Sequence, residues 1–250
     1  MRRREFLKGT MVSSLCLSLD KNPFLQGNKP PDMSVVKGGS PDMITRKAID
    51  LLGGMRAFIS KGDIVMIKPN IAFERKPQYG GCTNPDVVGT LVKLCLESGA
   101  KEVKVMDNPV RPAKQTYWAS GIADAVKKAG GQVLYPDEAK AKSAAINGRV
   151  IKTASVFTDI IEADKLINVP ILKTHPFTKL TMGMKNWLGA VWGNREIYHG
   201  KVNEIIVDLS AFFKPTLTVL DAYRIMKKNG PDGGSLSDVT LAQTVVAGKD

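Results

Sequence analysis

From residue 33 onward, short apolar runs alternate with longer segments of helical periodicity. The apolar runs predict strands at residues 63–68, 102–106, 165–172, 216–220 and 241–247. The segments between them predict helices at residues 41–58, 84–98, 115–129 and 202–213. Strands separated by helices of this length form βαβ units with parallel strands. Residues 33–250 are therefore predicted to form one α/β domain of the doubly wound type, with a mainly parallel sheet and helices on both faces.

Polar side chains follow four of these strands at the point where each strand ends. Lys68 and Asn70 lie at the end of strand 63–68, and Asp107 follows strand 102–106. Asp221 follows strand 216–220. Strand 165–172 leads into the densest polar cluster of the chain, which contains Lys173, Thr174, His175, Lys185 and Asn186. Because right-handed crossovers bring these strand ends to one edge, the residues are expected to share a crevice where such sheets bind ligands.

The composition of this cluster favours a small anionic ligand, either a carboxylate or a phosphate. His175 is the predicted acid–base group, because imidazole titrates near neutral pH, and Lys173 and Asp107 are further catalytic candidates. A divalent metal held by His175 and Asp221 is an alternative. Taken singly, each residue is more often structural, as a solvated lysine or a helix cap. The predicted ligand-binding residues are Lys68, Asn70, Thr83, Thr174, Lys185, Asn186 and Asp221.

A glycine-rich loop at residues 80–84 precedes the second predicted helix. Its N–H groups could bind an anion at the helix N-terminus, or the loop could be a simple connection capped by Asn84. Cys82 in this loop is either a reactive thiol or an ordinary loop residue. The other cysteines are Cys16 and Cys95, and no CxxC spacing occurs. The cysteines of this chain therefore predict neither an iron–sulfur cluster nor a zinc site.

Charge and hydropathy narrow the classes of partner. The chain of 250 residues carries a net charge of +12, but its basic residues are scattered and not interleaved with aromatic ones. This distribution argues against a nucleic-acid partner and leaves a basic surface or an anionic small ligand. The longest apolar runs are too short to predict a membrane-spanning helix.

The first 32 residues predict an export leader followed by a linker. Arg3 and Arg4 form a twin-arginine pair, followed in register by Phe6, Leu7 and Lys8. A short apolar segment comes next, and three prolines mark the linker at residues 20–32. The pattern predicts a periplasmic or other extracytoplasmic protein that uses the twin-arginine translocase. No clear A-x-A cleavage site follows, so cleavage elsewhere and retention of the leader as an anchor both stay open.

Five segments resemble the bacterial and archaeal family called domain of unknown function 362. They are IKPN (67–70), TNPDVV (83–88), INVPILKTHPFTKLTMGMKNWLG (167–189), IVDL (206–209) and LDAYRIMKKNGPDGG (220–234). The resemblance implies no particular reaction, because the family has no established one. It also implies that a further C-terminal piece can complete the domain. Some members carry ferredoxin-type cysteines that this chain lacks. The chain is thus either an exported anion-binding protein or enzyme, or a non-catalytic redox-accessory or iron–sulfur-associated binding protein.

Overall fold

Alternating strands and helices build the fold, as the periodicity predicts. The computed structural model describes residues 30–193, 198 and 200–249. Its strands are β1 (Met33–Lys37), β2 (Ile64–Pro69), β3 (Glu102–Val105), β4 (Gln132–Val133), β5 (Ala141–Ala145), β6 (Thr153–Phe157), β7 (Lys165–Val169), β8 (Ile171–His175), β9 (Lys179–Thr181), β10 (Leu217–Met226) and β11 (Val239–Gly248). Its α-helices are α1 (Pro41–Leu51), α2 (Pro85–Glu97), α3 (Ala113–Ala119), α4 (Ile122–Lys128), α5 (Thr158–Ile161) and α6 (Val202–Phe213).

The main sheet has the strand order β1-β11-β10-β7-β2-β3-β4, with β8 beside β10 and β9 beside β8. The five strands from β10 to β4 are parallel, whereas β1, β11 and β9 pair antiparallel with their neighbours. This confirms the α/β class with a mainly parallel sheet. The chain runs outward from β2 through β3 to β4 and then returns to β7 on the other side of β2. Strand order therefore reverses between β2 and β7, where doubly wound sheets place their ligands.

Apolar side chains cover both faces of the sheet. Val65 and Ile67 of β2 point into a core formed with α1, α2 and α4. Met66, between them, points into a second core with β6, α5 and α6. Alternate residues of one strand are thus buried on opposite faces, as a sheet between two layers requires. The helices predicted on both faces are confirmed.

Two predicted helices are shorter than their apolar periodicity indicates. The segment 41–58 forms α1 only to Leu51, because Gly53 and Gly54 follow with φ angles of 98° and 80°. The helical conformation does not include such angles, and glycine adopts them most readily. The segment 115–129 is divided into α3 and α4 at Gly121, whose φ is 73°. Local backbone conformation overrides the hydrophobic pattern at both places.

The strand predicted at residues 165–172 is wrong in its end point. It divides at Pro170 into β7 and β8, and β8 extends to His175. Proline has no N–H to donate to the ladder, so the pairing of β7 stops at this residue. Lys173, Thr174 and His175 consequently lie within β8 instead of after a strand. Similarly, β10 does not end at Leu220 but continues through Asp221 to Met226.

The hairpin of β8 and β9 pairs Lys173 with Thr181 and His175 with Lys179. It lies beside β10 and continues the sheet past the end of β7. No helix among the described residues is long and apolar enough to cross a membrane. The predicted leader lies outside the described residues.

Candidate functional site

A cavity of about 290 Å³ is lined by the polar residues of β8 and by those at the ends of β2 and β3. Its wall also includes the 3₁₀ helix Met184–Ala190 and the side chains of Phe73 and Phe177. Burial in a cavity beside apolar rings strengthens electrostatic interactions with any ligand. Seven of the predicted site residues line it together, namely Lys68, Asn70, Asp107, Lys173, His175, Lys185 and Asn186.

Lys68 and Asp107 form a buried ion pair at the base of the cavity. The distance from Lys68 Nζ to Asp107 Oδ1 is 2.6 Å, and the side chains are 0% and 3% exposed. Lys68 Nζ also donates to Pro69 O at 3.0 Å and to Asn186 Oδ1 at 3.2 Å. The other carboxylate oxygen accepts the N–H of Ile71 at 2.5 Å. An ammonium has three donors, and these three contacts direct all of them to protein oxygens. Lys68 therefore holds the site together from within.

Asn186 connects the ends of β2 and β7 through one side chain. Its Oδ1 accepts from Lys68 and from Asn70 Nδ2 at 3.2 Å each. Its Nδ2 donates to Lys68 O at 3.1 Å and to Asn168 Oδ1 at 2.8 Å. Asn168 in turn donates to Gly183 O at 3.1 Å. Buried amides bonded at both ends fix their neighbours, so Asn186 sets the position of the cavity wall.

Lys173 is the second buried lysine, and its side chain has different partners. It is 1% exposed, and its Nζ donates to Gly81 O at 2.5 Å and to Asn70 Oδ1 at 3.2 Å. The nitrogen lies 4.7 Å from the centre of the Phe73 ring. Burial lowers the pKa of Lys173 to about 8, and the nearby positive charge of Lys185 acts in the same direction. A substantial fraction of neutral amine is therefore present at mildly alkaline pH.

His175 and Lys185 both line the cavity, and both are partly buried. His175 Nδ1 accepts the N–H of Phe177 at 3.2 Å, so the proton of a neutral imidazole resides on Nε2. The ring of Phe177 lies 5.8 Å from that of His175, which restricts its rotation. These two residues contribute an imidazole and an amine to the less buried part of the lining.

Three predicted ligand-binding residues do not line the cavity. Thr83 Oγ1 accepts from Asn70 N at 2.9 Å and donates to Val169 O at 2.8 Å, so it ties two strand ends together. Thr174 donates to Lys179 O within the hairpin at 3.4 Å. The carboxylate of Asp221 accepts the N–H groups of Asn84 at 2.7 Å and Tyr223 at 2.9 Å.

Asp221 thus occupies the helix N-terminus at which an anion was expected. It is 1% exposed, and burial raises its pKa to about 6, although the two N–H donors oppose the rise. The predicted pairing of Asp221 with His175 around a metal lacks support here, because Asp221 does not line the cavity that contains His175. Among the described residues, no group of three or more histidine, cysteine or acidic side chains could hold a metal ion.

The sequence profile called domain of unknown function 362 (DUF362) matches residues 65–250. The chain belongs to the DUF362 family. A relative, a thylakoid-associated protein of Synechocystis, is 28% identical over 211 residues, which cover 78% of this chain and 63% of that protein.

Two solved structures resemble this DUF362 chain at low identity. The lactate racemase apoprotein of Thermoanaerobacterium thermosaccharolyticum is 12% identical, with a TM-score of 0.48, over 83% of this chain and 52% of that one. A Thermotoga maritima protein is 11% identical, with a TM-score of 0.49, over 79% and 54%. This chain therefore spans about half the length of each.

The interpretation of Cys82 as a reactive thiol is wrong. The residue is 3% exposed, its thiol donates to Phe73 O at 3.2 Å, and burial raises its pKa above the ordinary value. A raised pKa disfavours the thiolate, which is the nucleophilic form. Cys95 lies in the core, as its place on the apolar face of a helix predicts.

Four residues in or around the site were assigned no role from the sequence. Tyr117 is buried, and its hydroxyl bonds the backbone N–H and C=O of Asp107 at 2.7 Å each. Gly189 packs so closely that an added Cβ would overlap Asp107. Asn168 gave a signal, since an asparagine inside an apolar strand must find buried partners. The fourth residue is Thr181, which lines the cavity, so the full set is Tyr117, Asn168, Thr181 and Gly189.

Proposed function

We propose that the cavity binds a small anion, either a carboxylate or a phosphate, as a substrate or cofactor. The observation that carries the proposal is the charge of the wall. Three lysines and one histidine line it, and the carboxylate of Asp107 is the one acidic group among the described lining residues. The formal charges of these described side chains therefore sum to a positive value. An excess of positive charge in a partly enclosed cavity attracts anions.

Lys185 and His175 are the proposed anion ligands, because they line the wall outside the Lys68–Asp107 pair. His175 is also the proposed proton donor and acceptor, since histidine is the side chain most often used for acid–base chemistry near neutral pH. The pair and Asn186 position these groups but do not bind the anion directly. Lys173 lies deeper, beside Phe73.

Thermal melting of the full chain with added inorganic phosphate and with glycolate tests the proposal. A ligand that binds only the folded state raises the melting temperature with concentration. We expect Lys185→Gln and His175→Gln to reduce the rise by more than half. Lys93→Gln is the matched control, because Lys93 is exposed on α2 and does not line the cavity. An equal rise in all four proteins would disprove the assignment.

We also propose that the protein is exported through the twin-arginine translocase. The leader motif at Arg3 and Arg4 supports this proposal. The Synechocystis relative is thylakoid-associated, which is compatible with a protein that functions at a membrane or on its far side. Fractionation of cells expressing the full chain tests it, with the Arg3→Lys, Arg4→Lys double variant as the comparison. Equal distribution of the two proteins between fractions would contradict export by this route.

A further inference from the structure

Lys173 differs from the other lysines of the cavity in what surrounds its nitrogen. Its two hydrogen-bond acceptors, Gly81 O and Asn70 Oδ1, are both neutral. Among the described residues, no carboxylate lies within ion-pair distance of it. A neutral amine has two N–H donors and one lone pair. The two acceptors would satisfy both N–H groups of the neutral form, and the lone pair of that form would then be available for attack.

Neighbouring lysines are poorer nucleophiles for geometric reasons. Lys68 directs its three donors to Asp107, Pro69 and Asn186. Lys185 is only partly buried, so its side chain is less desolvated than that of Lys173. Lys173 alone combines near-complete burial with a phenyl ring at 4.7 Å and a place on the cavity wall. Desolvation of this kind is a recognised way to activate a lysine amine.

A second observation at the same place points to a ligand. Thr181 lies directly opposite Lys173 in the β8–β9 pair, so both side chains project from one face of the hairpin. Thr181 is 2% exposed and lines the cavity, and its buried hydroxyl has no hydrogen-bond partner within the described part of the chain. An unmet buried hydroxyl costs about 1–3 kcal/mol. A ligand oxygen placed beside Lys173 would meet it.

We propose that Lys173 forms an imine with the carbonyl carbon of a small 2-oxo acid bound in this cavity. The proposal rests on the anion site proposed above, which would take the carboxylate at Lys185 and His175. The carbonyl oxygen would then accept a hydrogen bond from Thr181. The ligand class follows from the wall, because a cationic side and an amine with an adjacent hydroxyl suit a carboxylate joined to a carbonyl.

The covalent step balances without any other reagent. The lone pair of neutral Lys173 attacks the carbonyl carbon, the carbonyl π electrons move to oxygen, and one proton passes from the nitrogen to this oxygen to give a neutral carbinolamine. The nitrogen lone pair then expels this oxygen as water after a second protonation. Overall, one ammonium and one carbonyl give one protonated imine and one water, with no change of oxidation state.

Reductive trapping of the full chain tests the proposal. The protein is incubated at pH 7.5 with glyoxylate or pyruvate and sodium cyanoborohydride, and the modified lysine is located by peptide mass spectrometry. We expect Lys173 to be modified about tenfold or more faster than any exposed lysine. The lowered pKa raises its neutral fraction at this pH from roughly one in a thousand to roughly one in four. Modification of exposed lysines with Lys173 unlabelled would overturn the proposal.

Two variants and one competing ligand distinguish imine formation with a bound 2-oxo acid from non-specific labelling of a reactive lysine. Lys173→Arg keeps the charge and should abolish the site-specific adduct. Thr181→Val should slow trapping several-fold, whereas a rate equal to that of the wild type would remove Thr181 from the proposal. Glycolate, which has the carboxylate but no carbonyl, should slow trapping by competition. Because the mapping is done on the wild-type chain, a misfolded variant would not hide the answer.

The same samples distinguish failure of this inference from failure of the anion site. A glycolate-induced rise in melting temperature without an adduct on Lys173 would overturn the imine and leave the anion site standing. An adduct on Lys173 whose rate glycolate does not change, in a protein that glycolate does not stabilise, would support the nucleophile but remove the carboxylate site on which its substrate class depends.

Discussion

The cavity contains two buried lysines that belong to different kinds of site. Lys68 is compensated by a carboxylate at 2.6 Å and by two further oxygens. Lys173 is equally buried, but within the described part of the chain its amine contacts two neutral oxygens and an aromatic ring. A buried charge with a full set of partners holds a fold in one arrangement. A buried amine without a counter-charge has a lowered pKa, so a larger fraction of it is neutral and able to act as a nucleophile.

The same difference extends to the surroundings of each lysine. Around Lys68, the groups of Asp107, Asn186 and Tyr117 are bonded to one another or to backbone. Around Lys173, the hydroxyl of Thr181 has no partner among the described residues. We infer that the first region is a completed scaffold and that the second is completed by a ligand. Four predictions test this contrast, and the largest effect comes first.

Replacing each lysine by methionine should give the largest difference in the free energy of unfolding between the two regions. Lys68→Met leaves the Asp107 carboxylate buried without a cation, which should lower the free energy of unfolding by about 3–5 kcal/mol. Lys173→Met removes a poorly solvated ammonium together with two hydrogen bonds, so its effect should stay within about 1 kcal/mol. Urea unfolding at pH 7 measures both values.

A double variant checks the cause of the larger loss. Lys68→Met combined with Asp107→Asn should recover part of the stability, because no unpaired charge is then buried. If the double variant is less stable than Lys68→Met by the full effect of Asp107→Asn, the ion pair is not the source of the loss.

The two buried aspartates differ in the same way as the two lysines. Asp107 is paired with Lys68, whereas Asp221 accepts two backbone N–H groups and has no cation within ion-pair distance among the described residues. Its pKa is raised in the folded state, so the folded protein binds this proton more tightly than the unfolded chain. Its contribution to stability is present below pH 4 and is lost as the pH rises through 6. Relative to Asp221→Asn, the wild type should lose about 2–3 kcal/mol between pH 4 and pH 7.

Urea unfolding of both proteins across this pH range measures that difference. Other titrating groups are common to the two proteins and cancel in the subtraction. A difference that stays constant from pH 4 to pH 7 would contradict the raised pKa of Asp221.

Gly189 tests how tightly the Lys68 region is packed. A Cβ added at this glycine would overlap Asp107 Oδ1 and lie 2.8 Å from Lys68 Nζ. Gly189→Ala should therefore cost about 1–3 kcal/mol, as overpacking does. Gly183→Ala is a matched control, because the nearest atom to its Cβ, Asn168 Nδ2, would lie at an ordinary 3.8 Å. Similar unfolding free energies for the two variants would show that this region is not tightly packed.

The periodicity of the chain was sufficient to predict the parallel sheet, its two covered faces and the edge that carries Lys68, Asp107 and Lys173. It did not predict the division at Pro170, because the apolar pattern continues on both sides; the signal was the proline itself, which cannot donate to a strand ladder. Nor could it separate the two lysines, since Asp107 is 39 positions from Lys68 and only the folded chain brings them together. Pairing across such distances is a property of the tertiary structure.

The smallest expected change in stability tests whether the region around Lys173 is completed by a ligand. Thr83 and Thr181 are both buried, but Thr83 makes two hydrogen bonds, to Asn70 and Val169, whereas Thr181 makes none within the described residues. Thr83→Val should cost about 1–3 kcal/mol, because it leaves buried partners unmet. Thr181→Val should change the free energy of unfolding by less than about 0.5 kcal/mol or should stabilise the protein, because it removes a hydroxyl whose burial is uncompensated. Equal losses in urea unfolding would mean that Thr181 is already bonded, and the hairpin would then need no ligand to complete it.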